Sequence, residues 1–294
     1  MLYVAYPLDG LLMVGLPLLL GWFLARRLGT KWRLFGVGMA TFFLSQVVHL
    51  PLLWGLTTLF AQKVLPSPPG PWQLLFNAVV LGLAAGLCEE GARYLVLRYW
   101  IESARTWREA LMFGAGHGGL EAMILGALVL VTYIAMVALR STSLAALPLS
   151  AAQQAAAAKQ IAAYWSLAWP VSLLGAVERV SALCIQLSGA VLVMQAFTRR
   201  NLLWLAGAVL WHAVVDGTTV IGLGGGLDVF QIEAVAGAWA VLALVMVFAL
   251  RPRQPEPLLE EAPSVVVEGA PASPQNAART AADEQRAVEN SKYL

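Results

Sequence analysis

Residues 122–139 read AMILGALVLVTYIAMVAL and decide the fold class of the chain. These 18 consecutive residues carry no charged side chain. At a rise of about 1.5 Å per residue they form a helix of roughly 27 Å, close to the hydrocarbon thickness of a bilayer. Similar runs recur along a chain that is 59% hydrophobic and 12% charged, about half the charged share of a soluble domain. The sequence therefore predicts an all-α, polytopic membrane helix bundle.

About seven apolar runs are long enough to cross a bilayer. They lie at about residues 8–25, 35–60, 73–98, 107–138, 164–198, 202–223 and 229–250. Between the fourth and fifth runs, the alanine-rich segment 141–163 has two interpretations, a helix lying at the outer surface or an ordinary long loop. We interpret residues 1–250 as one transmembrane domain. Residues 251–294, rich in Pro, Ala, Glu, Gln and Ser, are predicted to form a disordered cytoplasmic tail.

Basic side chains concentrate in alternate loops. One set of loops holds Arg26, Arg27, Lys31, Arg33, Arg98, Arg105, Arg108, Arg199, Arg200, Arg251 and Arg253, whereas the opposite set holds Lys63, Arg140 and Lys159. By the positive-inside rule, the N-terminus is predicted outside and the C-terminus in the cytoplasm. We expect a multi-pass protein of the cell membrane, here a bacterial plasma membrane. A net charge of +2 is too small to indicate a nucleic-acid partner, so the expected surroundings are membrane lipid.

Ionisable side chains at bilayer depth are costly and are functional by default. Three runs carry such residues four positions apart, which places both members on one helix face. These pairs are Glu89 with Arg93, beside Glu90; His117 with Glu121; and His212 with Asp216. Glu89, His117 and His212 each lie about ten or eleven residues from an inner helix end, roughly 15–17 Å deep, and are expected at one level. Each pair also has a structural alternative. Glu89 and Arg93 could form an ion pair near the inner helix end, the glycine-rich segment around His117 could serve helix packing alone, and His212 and Asp216 could satisfy each other in the bundle core.

Other polar positions are less decisive. Glu178 either joins the same site or pairs only with its neighbour Arg179. His49 is interpreted as a core or interfacial residue rather than a ligand. Four glycines surround His117; they remove bulk, so that another helix or a substrate backbone can approach.

A carboxylate beside two imidazoles in a dry cavity can activate water. Glu89 would take a proton from the water and return it to the leaving amine, while one His orients the water. The other His, with Asp216 behind it, would donate to the developing oxyanion. Alternatively His117, His212 and a carboxylate, with Glu178 as a candidate, bind Zn²⁺. The residues leave open whether the cofactor is zinc or none, and the glutamic type is favoured.

A second class of function uses the same residue types. Buried acids and histidines suit a cation- or proton-coupled transporter. Such transporters usually contain inverted repeats, and the sequence shows no internal repeat. The sequence therefore favours hydrolysis over transport.

The motifs resemble the YhfC family of intramembrane proteases, which is grouped with the CPBP or type II CAAX prenyl endopeptidases and the PrsW proteases. Three segments match the group pattern in order and spacing: Glu89-Glu90-x-x-Arg93, the GHGG segment with His117 and Glu121, and His212-x-x-x-Asp216. The resemblance implies that Glu89 is the catalytic carboxylate, supported by Glu90 and Arg93, and that Asp216 is the partner of His212. It also implies a membrane-embedded or membrane-proximal peptide substrate. The Glu-Glu-x-x-basic spacing is nearer PrsW than the CAAX branch, so prenylated substrates do not carry over.

Overall fold

The structure, a computed structural model, describes residues 1–252, whose regular secondary structure is entirely helical. The helices are α1 (Leu2–Leu28), α2 (Trp32–Ala61), α3 (Gln73–Tyr99), α4 (Trp107–Ser141), α5 (Ala151–Ser166), α6 (Leu174–Thr198), α7 (Leu203–Gly224) and α8 (Val229–Ala249). The predicted all-α class is confirmed. The predicted disordered tail lies outside the described residues from position 253 onward.

Seven helices within residues 1–252 are long and apolar enough to cross a bilayer, which confirms the predicted number. The predicted fifth span, 164–198, begins too early, because residues up to Ser166 belong to α5 and the spanning segment starts at Val171. Hydropathy misses this boundary because Leu167, Ala168 and Trp169 continue the apolar run through a break in the helix. Pro170 follows the break, at the start of the short turn that leads into α6, where a missing N–H costs nothing.

The segment between the fourth and fifth spans contains a helix, as one of the two interpretations proposed. The helix α5 starts with a capping box, in which Gln153 N donates to Ser150 Oγ and Ser150 N donates to Gln153 Oε1. It docks on the first turns of α1, where the Tyr6 ring stacks on Tyr164 at 4.1 Å between centroids. Tyr6 Oη also donates to the Tyr164 carbonyl at 2.9 Å. An N-terminal cap and a docking contact together explain why this alanine-rich segment is helical.

One end of the bundle, which holds the arginine-bearing turns, is closed by hydrogen bonds between the α3–α4 turn and its neighbours. Arg105 donates to the carbonyls of Leu97, Ile101 and Ala104. Trp107 Nε1 donates to the Val247 carbonyl at 2.9 Å. These bonds satisfy carbonyls at the ends of α3 and α8 and in the α3–α4 turn. They hold the turn against α3, and they hold α4 against α8. We call this the arginine-rich end.

The glycines around His117 allow close approach of two helices to α4. A Cβ on Gly116 would clash with the Phe35 carbonyl of α2, and one on Gly118 would lie 2.8 Å from Gln186 Cβ of α6. The backbone of α4 therefore packs directly against α2 and against α6. As a result His117 is fully buried between them.

Candidate active site

Three helices bring Glu89, His117 and His212 together. His117 Nε2 lies 3.1 Å from Glu89 Oε2, and His212 Nε2 lies 3.9 Å from the same oxygen. All three side chains are buried. The convergence expected from the depth count is therefore present, with one carboxylate oxygen between two imidazoles.

Glu90 lies behind His212, in the position that the sequence analysis gave to Asp216. Glu90 Oε1 is 2.8 Å from His212 Nδ1, so the ring donates its Nδ1 proton to Glu90 and turns Nε2 toward Glu89. Asp216 is instead 3.5 Å from Nε2, with 43% of its side chain exposed. The expected contact between His212 and Asp216 is therefore present, but Asp216 lies on the Nε2 side of the ring and Glu90 lies behind it. Glu89 and Glu90, adjacent on α3, point about 100° apart and reach the two sides of the same ring.

Arg93 binds mainly Glu90 rather than Glu89. Its guanidinium donates to Glu90 Oε1 and to Gln186 Oε1, and lies 3.9 Å from Glu89 Oε2. Arg93 and Glu90 are both fully buried. The cation therefore balances two adjacent carboxylates, of which Glu90 is fully buried and Glu89 faces a cavity.

A cavity of about 360 Å³ adjoins these residues. Its polar lining consists of His49, Glu89, Glu121, Glu178, Arg179, Gln186, His212, Asp216 and Thr219. Apolar side chains from five helices complete the wall. His117 contacts Glu89 but does not line the cavity. Of the three convergent residues, therefore, Glu89 and His212 face the cavity directly.

A larger cavity of about 650 Å³ lies along α7 and α8. Its walls carry Trp204, Trp211, Trp239 and aliphatic side chains without an ionisable group. It therefore lacks the groups that acid–base chemistry requires, and the smaller cavity is the candidate reaction site.

A second polar cluster lies on the side of the cavity away from the arginine-rich end. Arg179 Nη1 donates to Glu121 Oε1 at 2.7 Å, and its Nη2 binds Glu178. Glu178 thus pairs with Arg179 and also lines the cavity. It combines the two alternatives of the sequence analysis, an ion pair with Arg179 and a place beside the reaction site. Glu121 connects to Glu89 through Gln186, which donates to Glu121 Oε2 at 3.0 Å and to Glu89 Oε2 at 3.3 Å.

Sequence reasoning missed three members of this network. Gln186 on α6 and Gln46 on α2 both donate to Glu89, and His49 lines the cavity and contacts Gln46. Both glutamines are uncharged, and His49 was predicted to be a core or interfacial residue. A glutamine inside an apolar run, which needs a hydrogen-bond partner at that depth, is the signal that could have identified both amides.

The residue types at the site suit zinc. Imidazole nitrogens and carboxylate oxygens are common zinc ligands. Within residues 1–252, however, no three His, Cys, Asp or Glu side chains form a group that could hold an ion.

Comparison with known proteins agrees with the geometry. The profile of a family described as YhfC intramembrane metalloprotease matches residues 12–236, which include every motif from Glu89 to Asp216. The chain is 31% identical over 224 residues to an uncharacterized membrane protein, YhfC, of Bacillus subtilis strain 168, covering 74% of this chain and 84% of that protein. No solved structure matches the chain. The family match favours a protease over a transporter, and the chain belongs to the YhfC intramembrane metalloprotease family.

Proposed function

We propose that this protein is an endopeptidase in which Glu89 activates water to hydrolyse a peptide bond held in the 360 Å³ cavity. The observation that carries the proposal is the buried Glu89 carboxylate, with one oxygen 3.1 Å from His117 and 3.9 Å from His212. A positioned carboxylate of this kind is suited to general-base catalysis.

Glu89 acts first as the base. It accepts a proton from the water as the water oxygen bonds to the carbonyl carbon of the substrate, and it then delivers that proton to the leaving nitrogen as the C–N bond breaks. His117 donates its Nε2 proton to Glu89 Oε2 and so fixes the orientation of the carboxylate. An ionised carboxylate offers about four acceptor positions, which leaves room for the water.

His212 faces the cavity and supports the oxyanion. Its Nδ1 is held by Glu90, so its Nε2 is aimed at the space beside Glu89. A proton on Nε2 would be donated to the carbonyl oxygen as negative charge develops there. In this arrangement Glu90 fixes the ring, and Asp216, on the cavity side, contacts the incoming water or substrate.

We favour metal-independent, glutamic-type chemistry because the hydrogen bond between His117 and Glu89 places an oriented carboxylate base beside the cavity without the help of an ion. A bound zinc ion would polarise the water or the carbonyl. The family description makes metal dependence the alternative to be tested.

The burial of Glu89 indicates the form of the substrate. Glu89 is only 6% exposed, whereas a peptide bond within a helix is enclosed by its own turn and side chains. We therefore propose that a membrane-embedded substrate helix unwinds at the bond that is cut. Apolar walls suit the side chains of such a segment, while the buried polar groups bind its exposed backbone.

The test uses the purified protein reconstituted into liposomes with a panel of membrane-spanning peptides. Products are identified by mass spectrometry for wild type, Glu89→Gln and the control Glu102→Gln, whose side chain is exposed on the α3–α4 turn. We expect cleavage by wild type and Glu102→Gln, and a loss of about 10²–10⁴-fold in Glu89→Gln. Equal cleavage by wild type and Glu89→Gln would refute the assignment.

A chelator arm separates the two chemistries. Metal-independent hydrolysis predicts an unchanged rate in 1,10-phenanthroline and no stoichiometric zinc in the active protein. Loss of cleavage with phenanthroline that is restored by added zinc would contradict the glutamic type while leaving the protease assignment intact.

A further inference from the structure

Two glutamine side chains hold the Glu89 carboxylate, one on each oxygen. Gln46 Nε2 of α2 lies 3.3 Å from Glu89 Oε1, and Gln186 Nε2 of α6 lies 3.3 Å from Oε2. Neither helix carries Glu89 itself, which belongs to α3. The carboxylate thus accepts hydrogen bonds from two neighbouring helices.

The orientation of the Gln186 amide is fixed by its partners. Its Oε1 accepts from Arg93, a side chain that can only donate. The Nε2 group must therefore face the carboxylates, and its two protons match Glu89 Oε2 at 3.3 Å and Glu121 Oε2 at 3.0 Å. Every contact of this amide has a donor facing an acceptor.

The Gln46 amide has a corresponding arrangement. Its Oε1 lies 3.3 Å from His49 Nδ1, and its Nε2 faces Glu89 and the Ser45 hydroxyl. His49, interpreted from sequence as a core or interfacial residue, thus supports the amide that donates to Glu89.

We propose that Gln46 and Gln186 form an amide clamp, a pair of positioning residues that keeps Glu89 in register with His117 and His212. The proposal rests on the proposed function, in which Glu89 is the base. The terminal torsion of a glutamate is broad, so an unheld carboxylate would rotate away from the imidazoles. Neutral amides restrain that rotation without adding a second cation beside the base.

The clamp also separates like charges. Glu89 and Glu121 both face the cavity, and Gln186 donates to each of them. The amide thereby joins the Glu121–Arg179 pair to the reaction site without direct contact between the two carboxylates. A second buried glutamine, Gln195 on the same helix, bonds instead to Thr198 and Arg199 near the arginine-rich end.

Gln195 provides a matched control, because Gln186 and Gln195 are both 7% exposed. The variants are Gln186→Met, Gln46→Met and Gln195→Met in the full chain, reconstituted into liposomes. Methionine keeps the length of the side chain and removes the amide. For Gln186→Met and Gln46→Met we expect kcat to fall about 10–100-fold with little change in KM, as for a misplaced catalytic group. Gln195→Met should retain wild-type kcat.

A second readout is independent of turnover. Dicyclohexylcarbodiimide modifies protonated carboxyl groups in apolar surroundings, and mass spectrometry gives the labelled fraction at Glu89. A carboxyl group that loses an N–H donor is less restrained and more accessible to the reagent, so labelling of Glu89 should rise in both clamp variants and remain unchanged in Gln195→Met. If Gln186→Met does not fold, the partly exposed Gln46→Met still tests the clamp.

The outcomes separate the clamp from the proposed function. If wild type cleaves no peptide but labelling rises in the clamp variants, the clamp holds Glu89 and the proposed function fails. If Glu89→Gln abolishes cleavage but kcat and Glu89 labelling in both clamp variants match Gln195→Met, the proposed function stands and the clamp is wrong.

Discussion

Arg93 is the buried cation whose replacement tests the electrostatics of the site most sharply. In Arg93→Met the methionine fills most of the same space, but Glu90 keeps a buried charge whose guanidinium partner is gone. Removing one member of a buried ion pair typically costs about 3–5 kcal/mol. The upper part of that range applies because the side chains of Arg93 and Glu90 are 0% and 1% exposed.

Arg179→Met is the internal comparison. Arg179 is also buried, but its partners Glu121 and Glu178 have side chains 24% and 45% exposed. Water can solvate these carboxylates once the cation is removed, so we expect a smaller loss of about 1–2 kcal/mol. The two variants differ chiefly in access of solvent to the anions left behind.

The assay is equilibrium unfolding in mixed micelles with increasing sodium dodecyl sulfate, followed by tryptophan fluorescence. Arg93→Met should shift the unfolding equilibrium by about 10³–10⁴-fold, since each 1.4 kcal/mol is tenfold. Adding Glu90→Met should recover part of the loss, because no unpaired charge remains, although His212 Nδ1 then lacks its acceptor at a cost of about 1–3 kcal/mol. A loss below 1 kcal/mol in Arg93→Met, or a loss smaller than in Arg179→Met, would refute this reasoning.

Three further predictions follow from packing, hydrogen bonding and burial. Gly116→Ala should lower the free energy of unfolding by about 1–3 kcal/mol in the same assay, because the added Cβ meets the backbone of α2. Gly36→Ala, with open space around it, should be neutral or stabilising. Equal effects of the two substitutions would contradict the close approach of α4 to α2. Glu90→Gln should lower kcat by about 10²-fold through the imidazole that it orients, and more than Asp216→Asn does; the reverse order would show that the exposed acid is the orienting group. Burial raises the pKa of Tyr164 in α5, so the docking of α5 should be intact below the unfolded pKa near 10 and should weaken as the pH rises above that value. In an absorbance titration, Tyr164→Phe should remove a tyrosine that ionises at higher pH than the others. Loss of a tyrosine that ionises at lower pH would contradict the prediction.

The sequence predicted the features that depend on periodicity and depth. Apolar runs of spanning length recur seven times, and the i, i+4 pairs on three of them place their polar side chains on one face each. Equal depth from the helix ends then predicts that Glu89, His117 and His212 lie at one level, because parallel or antiparallel helices share a common level. That the three side chains meet depends also on how each helix is rotated about its axis.

The remaining features depend on side-chain direction and on tertiary packing. Which of Glu90 and Asp216 lies behind His212 is set by the rotation of α3 about its axis, and spacing within one helix does not fix that rotation. Gln46 and Gln186 carry no charge, so a search for costly ionised groups passes over them. The break before α6 lies within apolar residues, so hydropathy does not change there and does not mark the end of α5.

The Glu89 carboxylate lies between the imidazoles of His117 and His212 inside the bundle, and solid-state NMR measures the distances between imidazole nitrogens and carboxyl carbons directly. The chain contains three histidines, so ¹⁵N-His labelling gives few signals, which His→Asn variants assign. In liposomes, ¹³C-labelled glutamate carboxyls should strongly dephase the ¹⁵N signals of His117 and His212, whose nitrogens lie 3.1 and 2.8 Å from a glutamate oxygen. The effect should be weakest for His49, which bonds to Gln46. A His117 signal that keeps its full intensity would contradict the account.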